Sequence, residues 1–248
     1  MITNHIINQT IMKNFALGLG DNKIYPIERF FDFDHPVASY GYLRGAGDLY
    51  KKCKEFWYLD HGYFKQSSRK FQGNKVLINQ FDGYFRIVHN NFFHDASVNF
   101  SCDRFEKLNL DIKPQKKDGD YIILSEPTDD AKSFYNLENW TDNTIKLIKK
   151  YSDRKIIIHS RDSNILLTEL LPQAFAFVSD HSSAGFLAML QGVPAYFTNS
   201  TLSNIGKIQD IENYTINEKI FFNLAYCQWT LKEIQSGEAW QFISKELY

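Results

Sequence analysis

Residues 155–198, KIIIHSRDSNILLTELLPQAFAFVSDHSSAGFLAMLQGVPAYFT, constrain the fold of this chain more than any other stretch. The runs 155–158 and 174–178 are short, apolar and β-rich, and each ends in polar residues, as strands covered on both faces of a parallel sheet do. After Val178 come Ser179, Asp180, His181, Ser182, Ser183, Ala184 and Gly185, then the apolar segment 186–190, then Gly192-Val193-Pro194. That order predicts a strand, a small-residue loop, a helix of about two turns and a break. The hydroxyls of Ser182 and Ser183 fall at the helix start, where unpaired N–H groups and the helix dipole attract an anion. A phosphate or diphosphate suits such a place; an N-cap role for Ser182 is the alternative reading of the same residues.

A chain of 248 residues holds one large domain or two smaller ones, each able to bury a core. Hydrophobic content of 44% and charged content of 23% are those of a globular protein in water. The net charge of −1 gives no global electrostatic footprint for nucleic acid, so any such contact needs a local patch. Cys53, Cys102 and Cys227 lie far apart with no CxxC pair, which argues against a disulfide framework or a zinc knuckle and fits a reducing, cytoplasmic setting. No stretch approaches the length of a membrane span.

Along the chain, residues 4–20 carry Ile6, Ile7, Ile11, Phe15 and Leu19 at helical spacing before Gly20. Residues 40–49 predict a strand end that turns through glycines into a helix, and the tetrad 56–59 predicts a strand ending in Asp60, His61 and Gly62. Open α/β sheets place their ligands at such carboxyl ends. Residues 64–79 are basic, with Lys65, Arg69, Lys70 and Lys75, and are expected to form an exposed loop. Strands are expected at 84–88 and 121–124, a helix at 140–150, and one or two helices in 219–248; the polar stretch 109–119 is the expected interdomain linker. Strand and helix alternate in both halves, so the expected class is α/β with two parallel-sheet domains.

Residues 178–194, VSDHSSAGFLAMLQGVP, resemble the donor-diphosphate segment of GT-B-type glycosyltransferases. Residues 40–45, 58–64 and 224–240 resemble segments of short, phage-type members that include sugar transferases acting on 5-hydroxymethylcytosine in DNA. The resemblance implies two Rossmann-like domains with parallel sheets facing across a cleft and a C-terminal helix crossing back to the first. It divides the chain into an acceptor-side domain (1–112), a nucleotide-sugar domain (119–225) and a helical segment packing on the N-terminal domain (226–248). It also implies a hexosyl or pentosyl transferase with a nucleotide-diphosphate sugar as co-substrate, a UDP-sugar by expectation, no other cofactor, and double-stranded DNA with hydroxymethylated bases as a partner. A glycan or small-metabolite acceptor and a non-catalytic nucleotide-sugar-binding protein are the alternatives. One departure stands out: many GT-B enzymes carry a glutamate inside the donor helix, and residues 186–189 hold no acid.

Sugar transfer needs the leaving diphosphate's charge stabilised and the acceptor hydroxyl deprotonated. The first task is assigned to Ser182, Ser183, Ala184 and Gly185, with His181 and with Arg161, whose planar fork suits phosphate; a salt bridge from Arg161 to Asp162 or Asp153 is the alternative. Asp60 is the base expected for the second task, with His61 next; a hydrogen-bonded turn is the alternative. Arg44, Gly45 and His159 are further cleft candidates. Lys65, Arg69, Lys70 and Lys75 are the expected DNA contacts, with Tyr63 or Phe64 against a base flipped from the stack, and a solvated loop is the alternative. Asp32 and Asp34 have the DxD spacing of metal-dependent transferases, but no metal site is expected.

Overall fold

A computed structural model of the chain describes residues 2–4, 9–20, 24–26, 34–43, 45–67, 69–72, 75–79, 81–97 and 99–247. Arg44, Asp32 and Phe33 lie outside the described residues. The chain divides into two units, Met1–His94 with Ala225–Tyr248, and Asp95–Leu224.

In the first unit, β1 (Ile2–Asn4), α1 (Gln9–Gly18), β2 (Ile24–Pro26), β3 (Val37–Tyr40), α2 (Ala46–Lys52) and β4 (Phe56–His61) alternate. After β4 the chain makes a two-stranded ribbon, β5 (Arg69–Gln72) and β6 (Lys75–Asn79), and returns as β7 (Tyr84–His89). The sheet runs β12-β7-β4-β3-β1-β2, where β12 (Trp229–Thr230) comes from the end of the chain. Strands β2, β1, β3 and β4 are parallel, whereas β7 and β12 add antiparallel at one edge. Among the described residues no crossover helix lies between β4 and β7, and a parallel return needs such a crossover connection. The segment expected as a basic loop therefore contains an antiparallel ribbon, with Arg69 opposite Asn79 and Gln72 opposite Lys75. Helix α1 turns Ile11, Met12, Phe15 and Ala16 onto the sheet, the spacing of one helical face. Helices α9 (Leu231–Gln235) and α10 (Glu238–Phe242), followed by a π-helical turn (Ile243–Leu247), complete that core with Ile234, Ala239 and Ile243. The approach of α1 to α9 is so close that a Cβ on Gly18 would collide with the Ile234 carbonyl.

The second unit contains α3 (Asp103–Glu106), β8 (Tyr121–Ser125), α4 (Asp129–Tyr135), α5 (Trp140–Ile148), β9 (Lys155–His159), α6 (Leu167–Leu170), β10 (Ala174–Ser179), α7 (Ala184–Leu190) and β11 (Ala195–Phe197). Helix α8 (Lys219–Tyr226) contributes its first six residues to this unit, which ends at Leu224. Its sheet is parallel throughout, in the order β11-β10-β8-β9. Every residue of β10 is buried, as its unbroken apolar run requires of a central strand. Strand β9 was expected to be covered on both faces, but it stands at the sheet edge, and Ile158 is 48% exposed. Residues 109–119, expected as an interdomain linker, run inside this unit: Lys113 N donates to Leu190 O at 2.9 Å and Lys116 N to Gly192 O at 2.8 Å.

The two sheets share a strand order. In chain sequence the four parallel strands of each unit lie 2-1-3-4, a doubly wound order whose direction of winding reverses between the first strand and the third. In doubly wound sheets helices diverge to opposite faces at such a reversal, and ligands bind at the carboxyl ends of those two strands. In the second unit the reversal lies between β8 and β10.

Candidate functional site

The carboxyl ends of β8 and β10 carry Ser125-Glu126 and the loop Ser179-Asp180-His181-Ser182-Ser183. Asp180 is 5% exposed, and its carboxylate is the hub of a chain of hydrogen bonds. The indole Nε1 of Trp140, the first residue of α5, donates to Thr198 Oγ1 at 2.6 Å. Thr198, just past β11, donates its hydroxyl to Asp180 Oδ1 at 2.7 Å. The other oxygen, Oδ2, lies 2.7 Å from His181 Nδ1, and the His181 ring rests against Tyr135 at the end of α4 with centroids 4.5 Å apart. On β8's side, Glu126 accepts from Lys132 Nζ at 2.9 Å and Thr141 Oγ1 at 3.0 Å. The Lys132 hydrogen bond, helped by Thr141, outweighs burial and holds the Glu126 carboxyl below its ordinary range.

The helix start is more self-contained than its sequence suggests. Ser182 N donates to Ser179 Oγ at 3.2 Å and Ala184 N to Ser182 Oγ at 3.3 Å. Gly185 N and Phe186 N donate to the carbonyls of Ser182 and Ser183. Ser182 Oγ thus accepts within its own turn, while Ser183 stands at the N-cap of α7 with no side-chain cap hydrogen bond, and its N–H has no acceptor among the described residues. Gly185 serves packing: a Cβ there would come within 2.6 Å of the Phe197 ring on β11. On α7, Phe186, Ala188 and Met189 are buried and Leu187 is 43% exposed, so an apolar residue holds the position where an acid would reach solvent.

Other predicted residues are not brought to this place. Arg161 is exposed in the turn after β9, and β8 separates β9 from β10, a spacing of about 9–10 Å between the two strands. Among the described residues Arg161 has no ion-pair partner, so neither Asp162 nor Asp153 holds it. His159 sits on the same edge strand with Nε2 3.1 Å from Ile165 O.

In the first unit, Asp60 and His61 end β4, one strand beyond the reversal between β1 and β3. Asp60 is saturated. It accepts from Tyr58 Oη at 2.5 Å, from His61 N at 2.7 Å and from Arg86 Nη2 at 3.2 Å. Burial pushes its carboxyl up, but Arg86, His61 and Tyr58 together hold it below the usual carboxylate range. Arg86 is itself buried, donating also to the His61 carbonyl at 2.8 Å and the Phe92 carbonyl at 3.1 Å, with its guanidinium 5.0 Å from the Phe93 ring centroid. Tyr63 and Phe64, expected against a flipped base, are core residues: Tyr63 Oη accepts from His94 N at 2.8 Å, and Phe64 N donates to Gln228 Oε1 at 2.9 Å. Gly45 caps α2 in the left-handed region at φ 86°, a conformation glycine adopts without strain. Lys65 is exposed, and Arg69, Lys70 and Lys75 belong to the ribbon strands. Asp34 is exposed and paired with Lys54 at 2.7 Å. Among the described residues no group of three or more His, Cys, Asp or Glu gathers as metal ligands would, and no helix is long and apolar enough to cross a membrane.

Sequence reasoning missed Asp180, Thr198, Trp140 and Glu126. Asp180 and Glu126 did have a signal, an acid one residue past an apolar strand, while the pairing of Thr198 with Trp140 depends on tertiary placement.

No protein-family model matches the chain, and no curated protein matches it in sequence. Among solved structures it resembles KpsC of Thermosulfurimonas dismutans, described as a beta Kdo 2,4 transferase, with a TM-score of 0.51 and 11% identity over 91% of this chain and 89% of that one. The fold is GT-B-like. The beta Kdo 2,7 transferase KpsC of the same organism aligns over 97% of this chain and 98% of its own with a TM-score of 0.49 and 10% identity, and the fold assignment rests on the first. In this GT-B-like chain both Rossmann-like units keep the 2-1-3-4 order, and the second presents its polar loop where that order reverses.

Proposed function

We propose that the protein is a glycosyltransferase that takes a nucleotide-diphosphate sugar at the carboxyl edge of the second unit's sheet and passes the sugar to a hydroxyl acceptor. The observation that carries this is the meeting of the loop Ser179–Ser183 with the winding reversal of a parallel sheet in a GT-B-like fold. Doubly wound sheets bind ligands at that point. In this reading the hydroxyls of Ser182 and Ser183, Ser183 N–H and the His181 ring meet the diphosphate, Ala184 and Gly185 set the loop's approach, and Tyr135 flanks it. Asp60 and His61 are left out as the acceptor's base, because Asp60 already accepts from three donors and is held ionised by Arg86. A group held low makes a weak base. Arg161 is left out by its place on the far edge strand.

The resemblance of residues 40–45, 58–64 and 224–240 to phage-type transferases favours 5-hydroxymethylcytosine in DNA as acceptor. The likeness to a beta Kdo 2,4 transferase supports a glycan hydroxyl instead. Incubation with a panel of nucleotide sugars, presented with hydroxymethylcytosine DNA in one arm and oligosaccharide acceptors in the other, tests both by mass spectrometry. Added sugar mass on one acceptor identifies it. Free nucleotide without a modified acceptor points to a different hydroxyl, and absence of both turnover and donor binding removes the transferase reading.

A further inference from the structure

The second unit carries another concavity, at the amino edge of its sheet, away from the serine loop. A groove of about 530 Å³ lies between the 3-10 turn Leu171–Gln173, which leads into β10, and the last turn of α7. That volume is of the size small ligands occupy. Its floor is apolar: Leu171, Pro172 and Leu187 line it, and Leu187 stands 43% exposed on α7 with Gln191 one turn further along the same ridge. Among the described residues the charged side chains lining it are both lysines, Lys113 and Lys116, with no acid.

The fold holds the strap that carries these lysines from two sides. Lys113 N and Lys116 N donate to the carbonyls of Leu190 and Gly192, while Gln115 between them donates from Nε2 to Tyr214 O and accepts from Ile216 N, both at 2.7 Å. A Cβ on Gly192, which sits at φ 79°, would collide with the Pro114 carbonyl, so the close approach needs glycine there. Lys116 Nζ donates to Leu171 O at 2.8 Å and Pro172 O at 2.9 Å, which uses two of the ammonium's three donors and leaves one. Holding those carbonyls accounts for Lys116 but not for a second ammonium beside it. Among the described residues neither lysine has an ion-pair partner. Burial, and after it the Lys113 charge, lower the Lys116 pKa, and Asp118 offsets only part of this. We propose that the groove binds a small amphiphilic anion, its apolar body against Leu171, Pro172 and Leu187 and its anionic head on Lys113 and Lys116. Charge complementarity selects an anion, and the concave apolar floor selects an inserted body over a free phosphate or a flat bilayer. The groove lies at the far end of α7 from Ser182 and Ser183, so the proposal stands apart from the donor reading.

The test titrates octyl phosphate, below its micelle concentration, into the uniformly ¹⁵N-labelled full chain, with octanol and inorganic phosphate as separate arms. Cosedimentation with phosphatidylglycerol vesicles forms a fourth arm. Saturable shifts at Lys113, Lys116, Leu171, Leu187 and Gln191 are expected, with octyl phosphate bound at least ~5-fold more tightly than either octanol or inorganic phosphate. Lys113→Gln should weaken octyl phosphate by about 5-fold and leave octanol unchanged. Leu187→Ser should weaken both by about 3-fold. Both side chains are exposed, so the variants keep the fold, and the wild-type mapping decides independently of them. Shifts from octyl phosphate that miss the groove overturn the proposal, as does equal affinity for octanol, or affinity undiminished in Lys113→Gln. Inorganic phosphate bound as tightly as octyl phosphate reduces the site to a simple anion site and overturns the amphiphile. Vesicle binding without groove shifts from octyl phosphate assigns the surface to a bilayer and overturns the small ligand.

Discussion

The chain ends two strands with the same dipeptide, Asp60-His61 on β4 and Asp180-His181 after β10, and folds them into opposite roles. In the first unit the acid faces a buried guanidinium and a tyrosine, and accepts a further bond from the backbone N–H of the histidine. In the second the acid takes a threonine hydroxyl and the histidine ring itself. Strand position accounts for the difference. Asp180 lies at the reversal of its sheet, the point where doubly wound sheets bind ligands, whereas Asp60 lies one strand further on, beside antiparallel β7, whose Arg86 reaches across to it. A dipeptide at a strand end is thus a ligand candidate only with its place in the strand order.

The contrast breaks most sharply at Arg86. Arg86→Met leaves Asp60 ionised and half-buried without its counter-charge and strips the Phe92 and His61 carbonyls of a donor, an expected cost of about 3–5 kcal/mol. Urea unfolding of the variant checks this, and a cost below about 1 kcal/mol would return Asp60 to the list of functional acids.

Acid acts on the same cluster. His94 is buried with Nε2 3.0 Å from the Ile87 carbonyl, and burial, reinforced by Arg86, pulls its pKa from 6.5 down to about 3. Below pH 6.5 the unfolded chain binds a proton that the folded one refuses, so the stability it contributes is complete above that pH and drains away toward pH 3. The loss is about 2 kcal/mol at pH 5. Asp60, also held low, adds a loss in the same direction at more acid pH. Hydrogen exchange at pH 7 and pH 5 should show the amides of β4 and β7 losing protection, and equal protection at both values would contradict the account of His94.

Smaller effects distinguish the second site. Thr198→Val leaves the Trp140 indole and one Asp180 oxygen short of a partner and should cost about 1–2 kcal/mol, read as a lowered urea midpoint with unchanged slope. Arg161→Ala is expected to be silent, within about 0.5 kcal/mol in stability and with unaltered donor affinity. A tenfold affinity loss there would move the site toward β9.

Much of the second unit was legible because β8 and β10 are buried on both faces and so are written as unbroken apolar runs. β8, β10, α5 and α7 fall where hydrophobic pattern and breakers put them. The first unit was read less fully. The ribbon β5–β6 follows from cross-strand pairing rather than from local pattern, and β12 joins a sheet whose other strands all lie within residues 2–89. In the site, the serine loop was visible as small residues after a strand. Its N–H groups proved to be mostly used within the turn, and the buried hub beside it, Asp180 with Thr198 and Trp140, joins residues 18 and 58 positions apart, which no local pattern reveals.

Chemical-shift mapping tests the central claim most directly: amide spectra of the uniformly ¹⁵N-labelled protein are recorded while each nucleotide sugar is added. The account predicts perturbations concentrated in Ser125, Glu126, Tyr135, Ser179–Ala184 and Thr198, with Asp60 and His61 unmoved by donor alone. Perturbations centred on Asp60 and His61, with Ser179–Ala184 silent, would contradict it.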